Sequence, residues 1–356
     1  MGLVRWVDGI ERRDWQTVDA GTVRLALIGV GWWTVDVAIP AIEASDLCET
    51  TVLVSGSEEK ATGIAAEHGI AHGMTYEAFH DGANTDAYDA VYIATPNAYH
   101  LEYADRAAKL GKPVLCEKPL EATAERAEQL VDACSAVPLM TAYRMHTDPL
   151  VRRARELISD GAIGSVRYVS GENAQPLLEM NGDPDQWRLD SDLTGYGTSV
   201  MDLGIYVINT TRFVLGTDPE TAFGHMASVD PAFDDVPDQW ASFSLLFTDE
   251  TPLVGRTSQD ATSGSSLTIT GSAGRLSLEP AFSGEVVLRL ERGDATVAVS
   301  HEAISAEREM TEEFDYFADR VLSEMPIGPD GGHGLVDMRT IAAIHESAAR
   351  GEPVEI

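Results

Sequence analysis

Lysine is almost missing from this chain. Only Lys60, Lys109, Lys112 and Lys118 occur in 356 residues, and arginine supplies the other 21 of 25 basic residues. The 58 acidic residues outnumber them and give a formal net charge of −33. A phosphate backbone would be repelled over most of such a surface, which argues against a nucleic-acid partner. The same charge argues against a hold on anionic lipid through basic residues. Cysteine is scarce too. Cys48, Cys116 and Cys134 are an odd number without metal-type spacing, so neither a disulfide framework nor a metal site is expected. Buried thiols in a reducing cytoplasm are the default reading. No run approaches the roughly 20 apolar residues of a membrane helix. The opening stretch carries Arg12-Arg13 with no apolar run behind them, so a twin-arginine or secretory signal is not expected.

What is present is a core-forming chain. The hydrophobic fraction is 44%, which rules out a disordered acidic tail. The length suggests two domains. Residues 1–22 are polar, punctuated by Trp6 and Trp15, and read as an arm that docks on the body, docks on a neighbouring subunit, or frays. From 23 to 144, apolar runs at 23–28, 50–54, 89–95, 113–118 and 138–143 alternate with helical segments at about 32–45, 58–69, 98–111 and 122–134. That rhythm is an α/β domain with a parallel sheet. From 145 to 356 the rhythm changes. A helix at 149–159, a strand at 166–173 and a helical stretch at 199–216 precede strand-like runs at 222–229, 239–247, 252–259, 265–271, 274–279 and 284–299. Helices at 311–325 and 335–350 close the chain. This is an α+β domain with an open, mainly antiparallel sheet.

Three groups of residues carry chemistry. Gly29-Val30-Gly31-Trp32-Trp33-Thr34 joins the first strand to its helix. Its two glycines let backbone approach a pyrophosphate at a helix N-terminus, although Thr34 stands at the third glycine position. The second strand ends at Ser55 with no carboxylate to hold a ribose 2′-hydroxyl. Ser57 and Lys60 follow and can donate to a 2′-phosphate, which favours NADP over NAD. Thr95-Pro96-Asn97 with His100, and Glu117-Lys118-Pro119, lie at the carboxyl ends of two further strands, where open α/β sheets bind ligands. A partly desolvated Lys118 beside a cationic nicotinamide is suited to proton transfer. His100 and His146 read equally well as structural histidines.

The order G-x-G, T-P-N-x-x-H, E-K-P and then D-x-G-x-Y resembles the glucose–fructose oxidoreductase/inositol dehydrogenase/rhizopine catabolism (Gfo/Idh/MocA) family, over almost the whole chain from residue 22 onward. The resemblance implies a Rossmann domain followed by a domain whose open sheet makes a homodimer or homotetramer interface. It places the family's catalytic lysine on Lys118, with a cis bond to Pro119, and the second-domain motif on Asp202 and Tyr206. Those two are four residues apart and so on one face of a helix. It sets Trp187-Arg188 and Arg144 beside the cofactor. Trp32 and Trp33 wall the cofactor site. Tyr206 and Asn209 depart from the His and Asp of inositol dehydrogenases.

The resemblance therefore implies a cytoplasmic NADP-dependent enzyme that oxidises an aldose, D-xylose in the first instance, at C1. Tyr206 or Lys118 would take the hydroxyl proton, and Asp202 would orient the sugar. Other sugars, polyols or dihydrodiols are alternative substrates. A non-catalytic dinucleotide sensor is the alternative of another class. The composition generates its own prediction. An acidic, lysine-poor surface resembles those of proteins working in molar salt, where the Debye length falls to about 3 Å and self-repulsion is screened. The melting temperature should climb steeply from dilute buffer to molar KCl; a salt-independent value would contradict this reading.

Overall fold

The run 23–28 has no turn residue and no polar alternation, and it forms the central strand of a sheet covered on both faces. The computed structural model describes residues 10–300 and 306–356. They divide into two units, one built from Asp14–Arg144 and Ala306–Leu335, the other from 10–13, 145–300 and Val336–Ile356. The first holds six parallel strands: β1 (Val23–Ile28), β2 (Cys48–Ser55), β3 (His72–Thr75), β4 (Ala90–Ile93), β5 (Val114–Glu117) and β6 (Leu139–Ala142). Their order is β3-β2-β1-β4-β5-β6. The order reverses between β1 and β4, and that point opens a crevice at the strands' carboxyl ends. β3 and the short helix Tyr76–His80 went unread in the sequence, because four residues with a glycine among them carry too little pattern.

The helix Ala306–Ser323 belongs to this first unit. Asp315 and Asp319, both buried on it, accept from backbone N–H groups far away in sequence. Leu47 donates to Asp315 (3.1 Å), and Thr17 and Val18 donate to Asp319 (2.6 and 2.9 Å). Trp15 is buried edge-on to Tyr316, with ring centroids 5.3 Å apart. Residues 14–18 are thus docked on the body of their own unit. Trp6 lies outside the described residues.

The second unit carries a nine-stranded sheet. Its strands are β7 (Val166–Pro176), β8 (Pro219–Ala227), β9 (Trp240–Phe247), β10 (Pro252–Ser258), β11 (Asp260–Gly271), β12 (Arg275–Leu278), β13 (Val287–Arg292), β14 (Ala295–Ser300) and β15 (Val354–Glu355). The order is β14-β13-β12-β11-β7-β10-β9-β8-β15, and only the β7–β10 pairing is parallel. The run 284–299, read as one strand, is in fact the hairpin β13–β14. Gly293, at φ +60°, turns the chain between Arg292 and Ala295. One face of the sheet is covered, and the helix Ile205–Leu215 packs on it through Val207 against Gly171 of β7. Along β7, β8, β9 and β10, buried residues alternate with exposed ones.

Inside this unit a polar string runs behind the helix Ile205–Leu215. His146 Nε2 meets Asn209 Oδ1 at 2.8 Å, and Asn209 Nδ2 donates to Asp337 (2.7 Å), which also accepts from Arg212 (2.7 Å). His146 is buried and stacked on Phe213. Among the described residues no helix is long and apolar enough to cross a membrane, and no cluster of His, Cys, Asp or Glu could hold a metal. The three thiols are buried and unpaired; burial pushes Cys134 up to about 12, which keeps it protonated and inert.

Candidate active site

In the first unit the glycine turn stands at the switch point. Gly29 has φ +93°, and a Cβ there would come within 2.7 Å of the Ala94 carbonyl, so only glycine fits. Gly31 differs, because a Cβ there would meet nothing within 4 Å. Its backbone therefore faces open space at the start of a helix. Thr34 explains the missing third glycine. It is buried, and its hydroxyl donates back to the Gly29 carbonyl (2.5 Å), closing the turn. The helix widens into a π-turn over Thr34–Ala38, just before Pro40, which has no N–H to continue the ladder. Thr95, after β4, has a buried hydroxyl with no hydrogen-bond partner among the described residues. Open backbone at Gly31 and an orphaned hydroxyl at Thr95 fit a bound dinucleotide. Asn97, next to it, is also buried. At the end of β2, Ser55 is buried. Ser57 caps the helix Glu58–Glu67 by accepting from Lys60 N (3.2 Å), and the Lys60 side chain is exposed.

The two tryptophans separate in role. Trp32 is 57% exposed, whereas Trp33 donates through Nε1 to Tyr92 OH (2.9 Å). Tyr92 in turn donates to Glu117 Oε1 (2.6 Å), and Glu117 Oε2 accepts from Lys118 N (3.2 Å). One hydrogen-bonded string thus ties the glycine-turn helix to the strand that carries Lys118. The Lys118–Pro119 bond is cis. His100 is fully buried, with Nδ1 3.2 Å from the Leu120 carbonyl and Nε2 3.0 Å from that of Thr95. It holds the two ligand-end loops together. Arg144 is paired with Glu309 at 3.2 Å.

Behind Glu117 lies a group that the sequence did not reveal. Glu313, on the helix Ala306–Ser323, is 1% exposed, and neither carboxyl oxygen has a hydrogen-bond partner among the described residues. Burial first, and then repulsion from Glu117, push its pKa well above the ordinary range, against the opposing pull of Arg144 and Lys118. In a chain with 58 acids, a glutamate on a helix reads as solvated surface, and nothing in its spacing says otherwise.

In the second unit, Trp187 and Arg188 form a short 3₁₀ turn. The guanidinium of Arg188 lies 4.5 Å from the centre of the Trp187 ring, and its Nε donates to Asp202 Oδ2 (3.1 Å). The structure therefore brings the W-R pair to Asp202. Asp202 sits in a π-turn, Val200–Gly204, leading into the helix Ile205–Leu215, so the four residues to Tyr206 span a π-turn rather than the α-turn expected. Tyr206 is half-buried, its ring 5.8 Å from that of Phe282. Two further residues hold this place. Asp238, fully buried, accepts from the backbone N–H groups of Thr198 (2.6 Å) and Val200 (2.8 Å) and so anchors the start of the π-turn. Gln259 donates to Asp202 Oδ2 at 3.3 Å. Their only signal in the sequence is a polar residue beside an apolar strand. Chemically, the arrangement is a carboxylate fixed by a cation and an amide, suited to accept hydrogen bonds from hydroxyl groups.

Glu313 yields a pH prediction. Its folded pKa is raised above the unfolded value of about 4.3. The stability it contributes is thus fully present below that value and is lost as pH rises through the folded one. Glu313→Gln removes this loss. In urea unfolding at molar KCl, the variant should gain on the parent steadily from about pH 4.5 upward; a gap that does not change with pH would contradict the assignment.

Comparison with known proteins agrees with this geometry. Residues 23–143 match the model of an oxidoreductase family with an NAD-binding Rossmann fold, and residues 151–277 match the GFO/IDH/MocA C-terminal domain. The chain is 49% identical to D-xylose 1-dehydrogenase [NADP(+)] of Haloarcula marismortui, over 98% of each chain. It is 33% identical to D-xylose 1-dehydrogenase (NADP(+)) 2 of Haloferax volcanii, over 93% of this chain and 98% of the other. The crystal structure of aldose-aldose oxidoreductase from Caulobacter crescentus, complexed with glycerol, superposes with a TM-score of 0.86 at 29% identity, over 94% of this chain and all of that one. A glycine turn at the switch point, an E-K-P at the end of β5 and a nine-stranded second sheet thus come with matching sequence over nearly the full length, and the chain belongs to the Gfo/Idh/MocA family of oxidoreductases.

Proposed function

We propose that this chain oxidises an aldose at C1 with NADP as acceptor, and that D-xylose, giving D-xylonolactone, is its substrate. The likeness, along almost the entire chain, to a halophile protein named for that reaction carries the reading. The residues support it. The end of β2 offers Ser55, Ser57 and Lys60 and no carboxylate, which suits a 2′-phosphate. Gly29, Gly31, Thr95 and Asn97 would hold the dinucleotide at the switch point, and the nicotinamide, when bound, supplies hydride acceptance. Lys118 or Tyr206 takes the C1 hydroxyl proton as C1–H departs. Asp202, paired with Arg188, accepts hydrogen bonds from the sugar's hydroxyl groups. The string Trp33–Tyr92–Glu117 keeps the strand of Lys118 in step with the glycine turn.

The enzyme works in the cytoplasm as a homodimer or homotetramer joined through the open face of its nine-stranded sheet. That face supports the reading, because Tyr168, Phe223, Trp240, Leu246 and Val254 are exposed on adjacent strands. Large apolar side chains exposed on one face of neighbouring strands suit an interaction surface.

Steady-state kinetics in molar KCl across D-xylose, ribose, arabinose, glucose and inositol, each with NADP and NAD, tests the proposal. The highest kcat/KM is expected for D-xylose with NADP. A higher value for inositol than for every aldose would overturn the substrate, equal values for the two coenzymes would overturn the cofactor preference, and no turnover at all would favour a sensor. Lys118→Ala should lower turnover by about 10²–10⁴, the range for loss of a general acid or base, while NADP binding and folding persist. Near-normal turnover would make the lysine structural.

A further inference from the structure

Gln259 sits at the junction of β10 and β11, and its side chain is 1% exposed. Its backbone is fixed on both sides: its N–H donates to the Gln239 carbonyl (2.9 Å), and its own carbonyl accepts from Leu177 N (2.8 Å). Its amide is fixed as well. Gln175 Nε2 donates to Gln259 Oε1 (2.8 Å), which turns Gln259 Nε2 the other way. The two hydrogens on that nitrogen have two acceptors, Asp202 Oδ2 at 3.3 Å and Thr198 Oγ1 at 3.4 Å. Arg188 Nε reaches the same Oδ2 at 3.1 Å. Two donors from different elements converge on one oxygen, and this fixes where that oxygen lies.

We infer that Gln259 is a positioning residue of the sugar site, which aligns the Asp202 carboxylate before the sugar arrives, with Gln175 setting the direction of its amide. The inference rests on the reading of Asp202 as a partner of sugar hydroxyl groups. A carboxylate with one donor fewer swings more about its side-chain torsions, and each binding event must then order it. A second donor at a fixed angle removes that cost in the free enzyme. The effect falls on sugar affinity; proton transfer at C1 and coenzyme binding are carried by other residues.

The test is a double-mutant cycle on the full-length enzyme in molar KCl, with D-xylose and NADP. Gln259→Met keeps the volume and removes the donor. It should raise the KM for D-xylose about tenfold, the order of one lost hydrogen bond to a charged group, with kcat within about threefold and the KM for NADP unchanged. Asp202→Asn alone should raise the same KM, and adding Gln259→Met to it should cost little more, because the amide acts through the carboxylate. Gln259→Glu, nearly isosteric but placing a second acceptor against Asp202, should be worse than Gln259→Met. If Asp202→Asn raises the KM while Gln259→Met does not, or if the two effects add in full, the inference fails and the reading of Asp202 stands. If Asp202→Asn leaves the KM unchanged, that reading fails and takes the inference with it. Should Gln259→Met not fold, Gln175→Met, which frees the far end of the amide, takes its place in the cycle with the same criteria.

Discussion

Carboxylates that accept from backbone N–H groups hold this molecule's joints, and most of its architecture leans on them. Asp238 takes the N–H groups of Thr198 and Val200, where the helix of Asp202 and Tyr206 begins. Asp148 takes those of Leu150 and Val151 at the head of the helix Pro149–Ser159. Asp315 and Asp319 reach across to Leu47, Thr17 and Val18. Hydrogen bonds to an ionised acceptor are roughly twice as strong as neutral ones. Each also satisfies a donor that would otherwise be left unpaired at a helix end or loop. A chain with more than two acids per base meets part of the need for buried anion partners from its own peptide groups.

Arg320 also meets Asp319 (3.2 Å), but other cations go elsewhere. Arg188 meets Asp202, Arg212 joins Asp337 to Asp218, and Arg144 faces Glu309. Arginine's rigid fork suits these buried or half-buried pairs better than a flexible, strongly hydrated ammonium. Lys118 is the lysine that the proposed reaction uses, and its strand is tied through Glu117, Tyr92 and Trp33 to the glycine turn. Glu313 is the exception to the pattern. It is a buried carboxyl with no donor among the described residues, and burial first, then repulsion from Glu117, push its pKa well above the ordinary range.

Much of the fold was legible because its signals are periodic. Continuous apolar runs announced β1, β4, β5 and β6, and turn glycines such as Gly69 and Gly111 ended the helices where expected. What escaped has a physical reason in each case. β3 and β15 are too short to show a period. The hairpin at Gly293 joins two strands of like composition, so its pattern runs on without a break. The π-turns at Thr34–Ala38 and Val200–Gly204 add one residue to a helical turn, which no 3.6-residue pattern marks. Among the candidate site residues, Gly29, Gly31, Lys118 and Asp202 stood in recognisable spacing. Gln259, Asp238 and Glu313 act through neighbours distant in sequence, and such partnerships leave no local trace.

The peptide-capped carboxylates also separate two properties that are usually entangled. The donors that reach Asp148, Asp238 and Asp315 in these bonds are peptide N–H groups, neither lysine nor arginine. Replacing surface cations by acids therefore leaves these joints intact. The outer layer of such a sequence can drift with the ionic habitat of its host while the skeleton, and the alignment of groups hung upon it, stays the same.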